Sequence, residues 1–133
     1  MEMKNILLDT NAFSSLGRGD LSVKKVIETA DKVLIPVIVI GELLYGFKNG
    51  SKEDINRELL SKFLNIEGIE VLNTSLETAE IFSDIMIELK QKGTPIPSND
   101  IWIAALGIET GSVIITRDNH FIHISKARIW NQI

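Results

Sequence analysis

No cysteine occurs among the 133 residues, which excludes disulfides and any thiolate-ligated zinc or iron–sulfur centre. Long hydrophobic runs are missing too. The longest, VLIPVIVIG at residues 33–41, is far too short to cross a bilayer and is interrupted by Pro36. The opening MEMKNILLDT lacks the extended apolar segment of a signal peptide before it meets Asp9. Positive charge is in deficit, with 14 Lys and Arg against 18 Asp and Glu, a formal charge of -4. Phosphates are held by Lys and Arg, so bulk charge alone argues against a nucleic-acid binder. That argument weakens if carboxylates hold divalent cations, because two such ions would cancel the deficit. No internal repeat, low-complexity tract or flexible linker is visible, and no G-x-G-x-x-G follows the first apolar run. These absences predict one soluble, cytoplasmic domain over residues 1–133, with no membrane partner and enough chain to bury a core.

What is present is an alternation of short apolar runs and longer amphipathic ones. Lys4–Leu8, VLIP at 33–36, IEVL at 69–72 and SVIIT at 112–116 read as strands, with an edge strand near Arg128–Trp130. Helices are predicted over LSVKKVIETAD with Asp20 as cap, over 37–49, and over Lys52–Leu64. A long helix over Ser75–Lys92 would bury Leu76, Ala79, Phe82, Met86 and Leu89, closed by Gly93. The last runs from about Asp100 to Thr110, with Ser98 or Asn99 as cap, and a short turn or helix covers DNHF. Wholly apolar strands alternating with helices argue for a parallel α/β sheet covered on both faces. Functional groups in such sheets gather at the carboxyl ends of the strands.

Four carboxylates sit in unusual places. Asp9 ends the first strand in ILLDTN, where an N-cap is its plain structural role. Glu42 is the one charged residue between Lys32 and Lys48, in a helix apolar all round. Burial there would require pairing, protonation or a metal, unless the helix lies at an edge. Asp100 opens the apolar helix of SNDIWIAALG, where the helix dipole also favours it. Ala104 and Gly107 share its face and permit close packing on the sheet. Asp118 follows the strand SVIIT and would serve equally as a turn aspartate. Brought into one crevice, four such anions repel, and without compensation one of them would hold a proton. Divalent cations resolve the conflict, and oxygen ligands without cysteine suit magnesium or manganese.

ILLDTNAF, the acid in VIGELLYG, the SNDIWIAA helix start and ITRDNHF together resemble the ordered acidic motifs of a PIN domain. Size and spacing are most similar to the toxin ribonucleases of VapBC toxin–antitoxin systems. The resemblance implies a three-layer α/β/α fold with a central parallel sheet of about five strands. It makes Asp9, Glu42, Asp100 and Asp118 both catalytic residues and metal ligands, with Thr116, Asn11 and Asn99 in support. It implies Mg2+ or Mn2+ as cofactor, RNA as substrate, a metal-activated water as nucleophile, a cognate antitoxin and a homodimer. Arg117, adjacent in sequence to Asp118, is the first candidate for a substrate phosphate contact, ahead of Lys48, Lys90, Lys92 and Arg18. The family sometimes carries a further acid two places after the last aspartate; here that position is His120.

Rival readings remain open on the residues themselves. An aspartyl-phosphate enzyme would also place an aspartate after the first strand, but a haloacid-dehalogenase-like site wants a second one where Asn11 stands. A binding module for RNA or protein that does not cleave gains nothing from four gathered anions. His120 and His123 have zinc-ligating atoms, but their spacing is not a helical i, i+4 pair and surface placement is commoner.

Overall fold

The computed structural model describes residues 5–131. Five strands form one sheet: β1 (Asn5–Leu8), β2 (Lys32–Pro36), β3 (Ile69–Leu72), β4 (Val113–Ile115) and β5 (Arg128–Trp130). All neighbours pair in parallel, in the order β3-β2-β1-β4-β5. The central strands carry no hydrophobic alternation because both of their faces are covered. Ile6, Leu7, Leu8, Ile35, Ile114 and Ile115 are all completely buried. Leu7 lies opposite Leu34 on one side and Ile114 on the other. Lys4, expected at the head of the first strand, lies outside the described residues.

Six helices flank the sheet among the described residues, in a three-layer α/β/α arrangement: α1 (Thr10–Gly17), α2 (Leu21–Thr29), α3 (Val37–Lys48), α4 (Glu53–Leu64), α5 (Leu76–Lys92) and α6 (Ser98–Thr110). Their starts and stops follow local chemistry. Asp20 accepts from the Ser22 and Val23 amides to cap α2, and Ser75 with Thr78 forms a capping box on α5. α5 and α6 stop at Gly93 and Gly111, whose φ angles of 65° and 66° suit glycine best. A 3-10 turn, Asn119–His123, follows β4 and buries Phe121. None of the described helices is long and apolar enough to cross a membrane.

Three expectations need correction. In α5, Leu76 and Met86 are 89% and 46% exposed, and the buried face is Thr78, Ile85 and Leu89. The reason is its partner: α5 packs chiefly on α6, with Phe82 stacked on Trp102 at 4.0 Å between ring centroids. The inward stripe is therefore set by a helix–helix seam, rotated from the stripe of highest apolarity. In α3, only Val39 and Leu43 are buried while Tyr45 stands 71% exposed, so an apolar composition all round does not enclose Glu42. Finally, α6 has no side-chain cap; Pro97 in extended conformation precedes it, and Ser98 is already helical.

The strand order creates one special place. The chain winds from β1 outward through β2 to β3, then crosses back to lay β4 against the other side of β1. Connections leaving β1 and β4 diverge to opposite sides, which opens a crevice at their carboxyl ends.

Candidate active site

Asp9 follows β1 directly and is 4% exposed at the mouth of that crevice. Its Oδ1 accepts the Ala12 amide at 2.8 Å and so caps α1. Capping occupies one oxygen and leaves the carboxylate buried as a charge. Burial pushes its pKa up to about 6; the Thr116 hydroxyl and the Ala12 amide work against that rise, and Asp100 and Asp118 add to it by repulsion. The two distant acids are thus electrostatically felt at Asp9.

Asp100 stands in the first turn of α6 and Asp118 just beyond β4. Burial raises the Asp100 pKa, a hydrogen bond to His120 lowers it, and Asp118 raises it again. Asp118 caps the 3-10 turn by accepting the His120 amide at 3.0 Å, while its own amide donates to the buried Thr116 hydroxyl at 2.9 Å. This local turn chemistry folds residue 120 back over residue 118. The His120 Nδ1 then lies 2.6 Å from Asp100 Oδ2 and 3.0 Å from Asp118 Oδ1. One donor atom each from Asp100, Asp118 and His120 falls within 4.8 Å of the others.

Glu42 enters from α3, which packs against both α1 and α6. Its Oε1 accepts the Thr10 hydroxyl at 2.9 Å, one residue beyond Asp9, and the side chain is half-buried. Asp9 and Glu42 do not join the tight set of Asp100, Asp118 and His120 at the same spacing. Thr116 is fully buried, Asn11 half-buried, and Asn99 and Arg117 are exposed. His123 is not in the cluster; its carbonyl accepts from Lys92 Nζ at 2.8 Å. His120 is the participant that sequence reasoning set aside. The signal lay in D-N-H: an aspartate that caps its own turn brings the side chain two residues on to its carboxylate. A nearby cavity of about 520 Å³, walled by Ile96, Ile101 and Leu89, is apolar and contains no carboxylate.

The family model described as PIN domain matches residues 6–127. The chain belongs to the PIN domain family. This PIN domain is 26% identical over 121 residues to Ribonuclease VapC5 of Mycobacterium tuberculosis, covering 91% of the chain and 88% of that relative. Among solved structures it is similar to VapBC2 from Rickettsia felis bound to a DNA fragment from its promoter. That match has a TM-score of 0.86 and 25% identity, covering 97% of this chain and 99% of that one. It is likewise similar to DNA-bound VapBC from Salmonella typhimurium, with a TM-score of 0.81, 27% identity and coverage of 96% and 98%.

Proposed function

We propose that this PIN domain is a divalent-metal-dependent endoribonuclease and the toxin partner of a VapBC-type pair. The observation that carries the reading is the placement of Asp9, Asp100 and Asp118, from three separate elements, within electrostatic reach of one another at the β1/β4 crevice. Likeness to VapC ribonucleases supplies the substrate class. The donor set fits a hard or borderline cation: carboxylate oxygens, one imidazole nitrogen and no thiolate. Asp9, Glu42 and Asp100 would carry most of the coordination, directly or through water, and Asp118 would complete a second, weaker ion site; magnesium or manganese is the identity we favour. When bound, such an ion neutralises phosphate charge and makes water a stronger nucleophile at neutral pH.

The protein's own residues do the positioning. Thr116, just beyond β4, steadies Asp9 at the end of β1, and its hydroxyl also accepts the Asp118 amide in the turn that follows. Thr10 holds the Glu42 carboxylate by hydrogen bond. Arg117, exposed and next in sequence to Asp118, would contact a substrate phosphate, with Asn11 and Asn99 as polar support. A cognate antitoxin would inhibit by placing a basic side chain among the carboxylates, and the toxin would act as a homodimer.

The test is cleavage of a defined RNA by the purified chain with Mg2+, with Mn2+ and with EDTA, alongside Asp9→Asn, Glu42→Gln and Asp100→Asn. Cation-dependent cleavage by the wild type, reduced by about a hundredfold or more in Asp9→Asn and Asp100→Asn, is the expected outcome. Equal cleavage by wild type and Asp9→Asn, or cleavage unaffected by EDTA, would overturn the reading.

A further inference from the structure

We infer that His120 is a direct nitrogen ligand of the cation held by Asp100 and Asp118, and that it tilts the site towards Mn2+ over Mg2+. The inference rests on the metal-dependent reading above and deepens it. Three features carry it. The first is spacing: donor atoms at 90° around an ion with bonds near 2.1 Å stand about 3 Å apart. His120 Nδ1 already lies 3.0 Å from Asp118 Oδ1 and 2.6 Å from Asp100 Oδ2. Small outward adjustments admit an ion among the three atoms, with no change of chain path.

The second feature is restraint. The His120 amide is fixed to Asp118 Oδ1, and the next residue, Phe121, is completely buried. The imidazole is thus held at its root on both sides, and the nitrogen nearer the backbone, Nδ1, is the one presented to the acids. The third is chemistry. A neutral imidazole offers one lone pair that borderline transition ions accept, whereas Mg2+ strongly prefers oxygen. Of the two cations that carboxylates suit here, a nitrogen in the set favours manganese.

The competing picture is a histidine that only bridges the two carboxylates by hydrogen bonds and is pushed aside when a cation enters. Electron spin echo envelope modulation of the Mn2+-loaded full chain separates the two, with titration calorimetry of Mn2+ and Mg2+ alongside. Ligation predicts ¹⁴N modulation at Mn2+ in the wild type and in His123→Ala, and its loss in His120→Ala. It also predicts that His120→Ala weakens Mn2+ binding by about tenfold or more while weakening Mg2+ less. Wild-type protein that binds Mn2+ and cuts RNA without ¹⁴N modulation overturns the inference and leaves the nuclease reading standing. Failure of the wild type to bind Mn2+ or Mg2+ at all overturns both. Circular dichroism of His120→Ala checks its fold, and His120→Asn, which keeps a polar side chain without the imidazole nitrogen, must lose the modulation as well.

Discussion

Burying the Asp9 carboxyl at the end of β1 gives the metal-free protein a definite pH dependence. Its folded-state pKa, about 6, stands above the ordinary value of 3.8. The folded state therefore binds the proton more tightly than the unfolded chain does. The stability this group contributes is fully present below pH 3.8 and is lost as pH rises through 6, a change on the order of 3 kcal/mol. Asp9→Asn removes the charge but keeps an oxygen for the Ala12 amide, so the cap survives. In EDTA, urea unfolding should show the variant more stable than wild type by about 1–3 kcal/mol at pH 7.5, and by clearly less at pH 5. An equal gain at both pH values would show that the carboxylate is not strained by burial. Much of this was visible in ILLDTN, because an aspartate ending an apolar strand invites both a capping and a charge-holding role. The cap takes one of the two carboxylate oxygens. His120 was less legible: its place depends on the Asp118 turn, and a histidine two residues from an aspartate carries no helical or strand periodicity to mark it.

At the scale of single elements, α6 shows how a small residue sets the distance between a helix and the sheet. A Cβ built on Gly107 would stand 2.8 Å from Ile114 Cγ1 and 2.9 Å from its Cδ1. Ile114 is completely buried in β4 and has no free space into which to turn. Alanine gains about 1 kcal/mol of helix propensity over glycine, but overpacking in a tight core costs about 1–3 kcal/mol. Gly107→Ala should therefore destabilise by about 1 kcal/mol, measured as a lower urea midpoint at unchanged slope. Stabilisation would mean that α6 can lift away from β4. Because Asp100 rides on the same helix, RNA cleavage in this variant should fall by more than its unfolded fraction explains. The packing role of Ala104 and Gly107 was readable from their shared face with Asp100. The α5 stripe was not, since apolar spacing alone does not say whether a helix leans on a sheet or on another helix. In α5 the seam with α6 decided it, exposing Leu76 and burying Thr78, whose hydroxyl donates to Glu109.

For the whole molecule, the decisive feature is that β1 and β4 are neighbours although more than a hundred residues separate them. Local patterns show strands and their apolar faces, so a parallel sheet and its acidic carboxyl edge were legible. Strand order was not, because it is chosen by the packing of the connecting helices. That order places repelling carboxylates side by side, and the unfolded chain has no such concentration of charge. A cation that binds the folded crevice alone must then stabilise the entire fold. At a concentration of 100 times its dissociation constant, Mn2+ should add about 2.7 kcal/mol, raising Tm by on the order of 10 °C for a chain of this size. At one fixed Mn2+ concentration the gain should be larger at pH 7.5 than at pH 5, because ligands must be ionised and protons compete for Asp9 and Asp100, whose pKa values are raised. Asp100→Asn should lose most of it. Sodium chloride at equal ionic strength supplies the control: if it raises Tm as much as Mn2+ does, the effect is general screening of a chain with net charge -4. A shift confined to the divalent ion and lost in Asp100→Asn instead locates the stabilisation where β1 and β4 end.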